Sequence, residues 1–155
     1  RDKKMSLKDE IERHYKNSIK EKDSNSINTL RLIKSAIKDK EISLRGTKSE
    51  FNDSNILNLL QSLIKLRKDS IDAFKKANRK DLIDNELNEI KVIEMFLPKQ
   101  MDENETKIIV LEIIKENNFK SLKDMGQLMK LIRDKYTGKV DIGSVGKIAK
   151  SELGN

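Results

Sequence analysis

Apolar residues recur every three or four positions along almost the whole chain, and a single proline interrupts them. That spacing places apolar side chains on one face of a 3.6-residue helix. A half-buried strand would need them at every second residue instead. Leu7, Ile11, Tyr15 and Ile19 make a first such face. Leu30, Ile33, Ile37 and Leu44 make a second. Leu59, Leu60, Leu63 and Leu66, continued by Ile71 and Phe74, make a third, and Leu87, Ile90 and Ile93 a fourth. The expected fold class is all-α.

The ends of these helices are written in short polar signals. Ser6 followed by Asp9 resembles a capping box. The first helix should run to about residue 22, where the sequence DSNS breaks it. Gly46 suits the end of the second helix, Asp53 or Ser54 the cap of the third, and Asn78 a left-handed end to that third helix. Proline disfavours helix in the residue before it, so Pro98 should stop the fourth helix near Leu97. Asp102 and Glu105 then start another. A stop followed at once by a start divides the chain into a four-helix N-terminal domain, residues 1–100, and a three-helix tail domain, residues 101–155. The first tail helix carries Ile109, Val110, Ile113 and Ile114. A second one, capped by Ser121, carries Leu122, Met125, Met129, Ile132 and Tyr136. A third, capped by Asp141, carries Ile142, Val145, Ala149 and Leu153.

Composition narrows the chemistry. The 155 residues are 38% charged and 4% aromatic, with no Trp and no Cys. The core must therefore be aliphatic, and disulfides, thiolate metal sites and cysteine nucleophiles are excluded. One His leaves no His-rich metal site. Paired acids, a nucleophile with its base and a metal-ligand set are all missing as motifs, so no catalytic residue, metal or cofactor is assigned. No apolar run approaches the roughly 20 residues of a membrane span, and no hydrophobic leader is visible. A cytoplasmic location is expected, or an organelle matrix if a transit peptide has been removed. Residues 1–4, ahead of Met5, read as a tag remnant or the end of a longer precursor.

The segment TGKVDIGSVGK, residues 137–147, invites a nucleotide-loop reading. Gly138 and Gly143 have the Walker separation, but Ser144 stands where Lys is needed. Gly146-Lys147 is followed by Ile148 rather than a hydroxyl, and no strand precedes the segment. The segment reads better as a helix–turn–helix corner. Gly143, Lys147 and Lys150 share one helix face, with Gly146 beside it. A mid-helix glycine costs about 1 kcal/mol relative to Ala, so something should approach closely: a neighbouring helix or a sugar-phosphate backbone.

Charge points toward an anionic partner. The net charge is +7, with 26 Lys, 19 Ile and 13 Asn, so part of the Lys excess reflects an A- and T-rich genome. The distribution is uneven, however. Residues 1–48 hold 14 basic and 8 acidic residues, net +6, while residues 49–100 are balanced at 9 and 9. Residues 101–155 hold 10 and 9. A localised basic footprint fits better than uniform drift. Arg31, Lys34, Lys38 and Arg45 fall on one side of the second helix, beside its apolar stripe, where they can follow a phosphate backbone. The alternative is a solvated basic face. Arg67 lies on a line of buried residues and needs a carboxylate; Glu86, Glu89 and Glu94 are the candidates. His14 reads as a core-edge residue, and Met125 and Met129 as core filler.

Three stretches together carry a family resemblance: R-x-x-S-I-x-x-F at 67–74, F-L-P-x-Q at 96–100 and K-D-M-G at 123–126. The region 63–100 resembles the central segment of the GatB/YqeY family. The region 123–153 resembles its C-terminal segment, shared with the tail of the aminoacyl-tRNA amidotransferase B subunit. The resemblance implies an all-α N-terminal domain with a three-helix tail, and a link to tRNA-dependent amidation in which the tail helps hold tRNA. The B subunit's large catalytic body is missing here. The expected function is therefore a non-catalytic, tRNA-associated accessory protein. Its nucleic-acid contacts would be Arg31, Lys34, Lys38, Arg45, Lys139, Lys147 and Lys150, and amidotransferase subunits are further candidate partners. The rivals are a carbon–nitrogen ligase using glutamine as amido donor on charged tRNA, and a protein-binding helical module. The oligomeric state is not legible. Limited proteolysis is expected to cut between Leu97 and Asp102 before either part degrades; early cutting inside the third helix would contradict the two-part reading.

Overall fold

The computed structural model describes residues 5–154; residues 1–4, read as a tag or precursor remnant, lie outside them. The described residues form seven α-helices and one 3₁₀ turn, with no strand among them. They fall into two compact units, the first ending at Leu97 and the second beginning at Pro98.

The first unit holds α1 (Leu7–Glu21), α2 (Ser24–Leu44), α3 (Asp53–Lys76) and α4 (Lys80–Glu94). The Ser6 hydroxyl caps α1 by accepting the Asp9 N–H. Lys22, left-handed at φ 56°, ends it. The DSNS stretch is not a loop. Asp23 caps α2 directly, accepting the Ser26 N–H and hydroxyl, so Ser24 is already helical. Asn78, left-handed at φ 54°, makes a similar corner between α3 and α4. The cap of α3 is Asn52 rather than Asp53 or Ser54. Its side chain accepts the Asn55 N–H while the Asn55 side chain accepts the Asn52 N–H, a reciprocal pair that fixes the start one residue early.

Ile11, Leu30, Ile33, Ile56, Leu60 and Ile93 are fully buried at the centre of this unit. Three residues expected there lie outside. Ile19 is 48% exposed, because the chain folds back over Ser18, whose carbonyl accepts the Asp23 N–H and whose side chain is buried instead. Leu66 is 62% exposed. The inward line of α3 is Ile56, Leu60, Ile64 and Ile71, and Leu66 points away from Ile64 by two residues, about 200° around the helix. Leu87 is 44% exposed, and half-buried Glu86 takes the inward position at that level of α4.

The second unit holds α5 (Glu103–Glu116), a 3₁₀ turn (Leu122–Asp124), α6 (Met125–Lys135) and α7 (Ile142–Leu153). Asp102 and Glu105 form a reciprocal capping box on α5. Ser121 does cap, but it caps the 3₁₀ turn, and the Asp124 carboxylate accepts the Lys120 and Ser121 N–H groups behind it. That tighter turn leaves Leu122 half exposed, and Leu128 fills the core instead. Val110, Leu128, Ile132, Val145 and Ala149 form the fully buried centre. The segment after Pro98 belongs to this unit. The Met101 N–H donates to the Lys139 carbonyl at 2.8 Å, and the Gln100 amide donates to the Gly138 carbonyl.

Leu128→Ala should therefore destabilise the chain by about 2–5 kcal/mol in chemical denaturation, as a fully buried leucine does. Leu122→Ala, at a half-exposed site, should cost well under half as much. Equal effects would mean that the 3₁₀ turn does not place Leu122 as described.

Candidate nucleic-acid interface

The two-residue corner at Lys22 and Asp23 sends α2 back along α1, so residues at similar distances from the corner face each other. Lys8 reaches Glu41 at 2.9 Å, and Lys34 reaches Glu12 at 2.8 Å. The Lys34 ammonium also sits over the Tyr15 ring, 4.0 Å from its centre. Between the helices runs a groove lined by Lys8, Lys34, Ile37, Lys38, Glu41 and Arg45. Three of the four expected α2 cations thus line one groove. Arg31 is exposed on the same side of α2 but outside that lining. Lys38 and Arg45 are exposed and have no carboxylate in ion-pair range among the described residues. Lys8 was missed from the sequence because its relevance depends on a neighbour 33 residues away. The available signal was the short break at DSNS, which fixes an antiparallel register.

The tail cations are less gathered. Lys147 lines a shallow groove with Glu103, Asn104, Lys107, Ile148, Ser151 and Glu152, between the start of α5 and α7. Lys107 is a further cation that the sequence reading passed over. Lys150 is exposed on α7 but outside this groove, and its carbonyl accepts the Gly154 N–H. Lys139 is exposed in the corner before α7, with its backbone bonded to Tyr136 and Met101. Of the two approaches expected at the glycines, that of a neighbouring helix is not found among the described residues. A Cβ at Gly146 would meet open space, and one at Gly143 would meet only the Asp141 carboxylate, at 3.4 Å. Asp141 caps α7 by accepting the Gly143 N–H at 3.0 Å. Gly143 and Gly146 therefore leave a bare backbone beside two lysines.

The residues that carry the family resemblance have structural work. Arg67 is 11% exposed; its Nε donates to Glu89 at 2.7 Å and its Nη1 to the Leu63 carbonyl at 3.0 Å. Burial pushes the nearby Glu86 carboxyl up, the Glu89 charge adds to this, and Arg67 opposes it. Ile71 and Phe96 are buried, and His14 meets the Phe96 ring edge-on at 5.1 Å. Among the described residues, no three His, Cys, Asp or Glu side chains gather in a way that would hold a metal ion. No described helix is long and apolar enough to cross a membrane.

Comparison with known proteins agrees with the motif stretches. The sequence profile of the family described as Yqey-like protein matches residues 8–153. A Vanderwaltozyma polyspora protein named altered inheritance of mitochondria protein 41, mitochondrial, is 36% identical over 87 residues, covering 56% of this chain and 46% of that protein. The Lachancea thermotolerans protein of the same name is 32% identical over 120 residues, covering 74% of this chain and 63% of that one. A Schizosaccharomyces pombe protein described as uncharacterized is 32% identical over 89 residues, covering 57% of this chain and 70% of its own length. The chain spans less than two thirds of the length of the first two relatives.

Arg67→Ala should cost about 2–4 kcal/mol of stability, because it strands Glu89 beside Glu86 in a partly buried site. RNA affinity of the folded fraction should not change. Glu86 gives the opposite sign. Its folded pKa is raised, so the folded state holds that proton more tightly than the unfolded chain. Stability is then lost as pH rises from the ordinary glutamate value through the raised one. Glu86→Gln should melt above the parent at pH 7, and the gap should close below about pH 4. A gap that persists in acid would contradict this.

Proposed function

The chain belongs to the YqeY-like protein family, and from that premise we propose that it is a non-catalytic, tRNA-associated accessory protein of tRNA-dependent amidation. The observation that carries this reading is the α1–α2 groove, where Lys38 and Arg45 lie exposed with no carboxylate in ion-pair range among the described residues. Cations without internal partners release counterions when they meet phosphate, and that release drives binding to a nucleic-acid backbone. The face of α7 with Gly143, Lys147 and Lys150 is the second contact. A bare backbone there lets a sugar-phosphate chain come close to the two lysines. Arg31 and Lys139 extend the two surfaces.

The resemblance of the tail to that of the amidotransferase B subunit supplies tRNA as the polymer and amidotransferase subunits as further partners. The mitochondrial designation of the yeast relatives favours an organelle matrix over the cytoplasm. The enzyme rival, a glutamine-dependent carbon–nitrogen ligase on charged tRNA, is separated by an amidation assay on Glu-tRNA with and without other subunits. The protein-binding module is separated by RNA co-purification at low salt.

Lys38→Glu with Arg45→Glu, and separately Lys147→Glu with Lys150→Glu, should each weaken tRNA binding about equally across tRNA species, because phosphate contacts position rather than specify. The log–log salt dependence should flatten by about 0.7–0.9 per lost phosphate contact. A parent protein that fails to bind tRNA at low salt would end this reading. Unchanged affinity in one folded double variant would remove that surface from it.

A further inference from the structure

The cations of the α1–α2 groove are not equivalent. Two of them are held by carboxylates from the facing helix: Lys8 of α1 by Glu41 of α2, and Lys34 of α2 by Glu12 of α1. Both pairs are well hydrated, with side-chain exposures of 56% and 33% for Lys8 and Glu41, and 35% and 40% for Lys34 and Glu12. Hydrated pairs of this kind are weak. A phosphate chain can compete for that ammonium, because its oxyanions also form charge-assisted hydrogen bonds and arrive as a closely spaced row of charges. Lys34 has a second hold through the Tyr15 ring, whereas Lys8 has only Glu41 among the described residues. Among the described residues, Glu41 is also the one carboxylate that lines the groove.

The geometry points to a phosphate-oxyanion site in which Lys8 is the releasable cation and Glu41 the built-in competitor. A phosphate entering beside Lys38 and Arg45 draws Lys8 from Glu41, and Glu41 sets how tightly the phosphate is held. Ile37 and the lysine stems give the groove an apolar floor, which lowers the local dielectric under the bound oxyanion. The shared chemistry is phosphate oxygen, supplied by an RNA backbone or by a free polyphosphate chain. The identity of the polymer rests on the tRNA reading above; the role of Glu41 does not.

The test is fluorescence anisotropy on the intact chain with two probes, unfractionated tRNA and inorganic polyphosphate, across a salt series. The variants are Glu41→Gln, Lys8→Ala and both together, each checked for folding by its thermal melt. Glu41→Gln should tighten both probes about two- to fivefold, the scale of one exposed pair, and steepen the salt dependence by up to about 0.7–0.9. Lys8→Ala should weaken both probes, and the gain from Glu41→Gln should shrink in the double variant. Unchanged affinity for both probes in folded Glu41→Gln would overturn the site. An undiminished gain without Lys8 would overturn it too, since general charge rather than release of Lys8 would then explain the effect. A polyphosphate response with no tRNA binding would support the groove as a phosphate site and end the tRNA reading.

Discussion

Each helical hairpin of the first unit turns on one left-handed residue, Lys22 between α1 and α2 and Asn78 between α3 and α4. A left-handed conformation costs a non-glycine residue about 1–2 kcal/mol, less for Asn. It is retained because the corner satisfies helix-end carbonyls: Lys22 and Asp23 bond back to Ile19 and Ser18, and Asn78 and Arg79 to Lys75 and Phe74. The corners set the register of everything beyond them. Lys8 meets Glu41, Glu12 meets Lys34, and Arg67 meets Glu89. One residue added at a corner would turn the following helix by about 100° and part these pairs. The basic groove is a property of the register rather than of α2 alone.

Within that register, packing and recognition use different residues. Aliphatic side chains fill both cores. The motif residues that carry the resemblance mostly serve the fold: Arg67 ties α3 to α4, Phe96 lies in the first core, Asp124 holds the 3₁₀ turn, and Gln100 holds the corner before α7. The candidate phosphate contacts are exposed lysines and arginines outside the cores. Changes at those positions are therefore separable from stability, which makes the two surfaces testable one at a time.

Helix class and most caps were legible because they depend on residues three or four apart. Ser6, Asp102 and Asp141 cap as their sequence context indicates, and Asn78 adopts the left-handed turn. The α3 cap was misplaced because Asn52, Asp53 and Ser54 can all cap, and only the Asn55 side chain decides among them. Burial of Ile19, Leu66 and Leu87 was over-read, since helical spacing defines a broad apolar face while the neighbouring helix covers only part of it. The same limit hid Lys8 and Lys107. A groove between helices is assembled from residues far apart in the chain, and periodicity within one helix does not report it.

The Lys34–Tyr15 contact also makes the groove optically addressable. The chain has no Trp and only two Tyr. Tyr15 lies beneath a groove cation in the first unit, and Tyr136 sits in the second unit with Lys135 5.6 Å from its ring. Each unit thus contains a single phenol, undisturbed by indole emission. Replacing either tyrosine with phenylalanine leaves the other as the sole tyrosine emitter, so events at one unit can be followed without an attached dye.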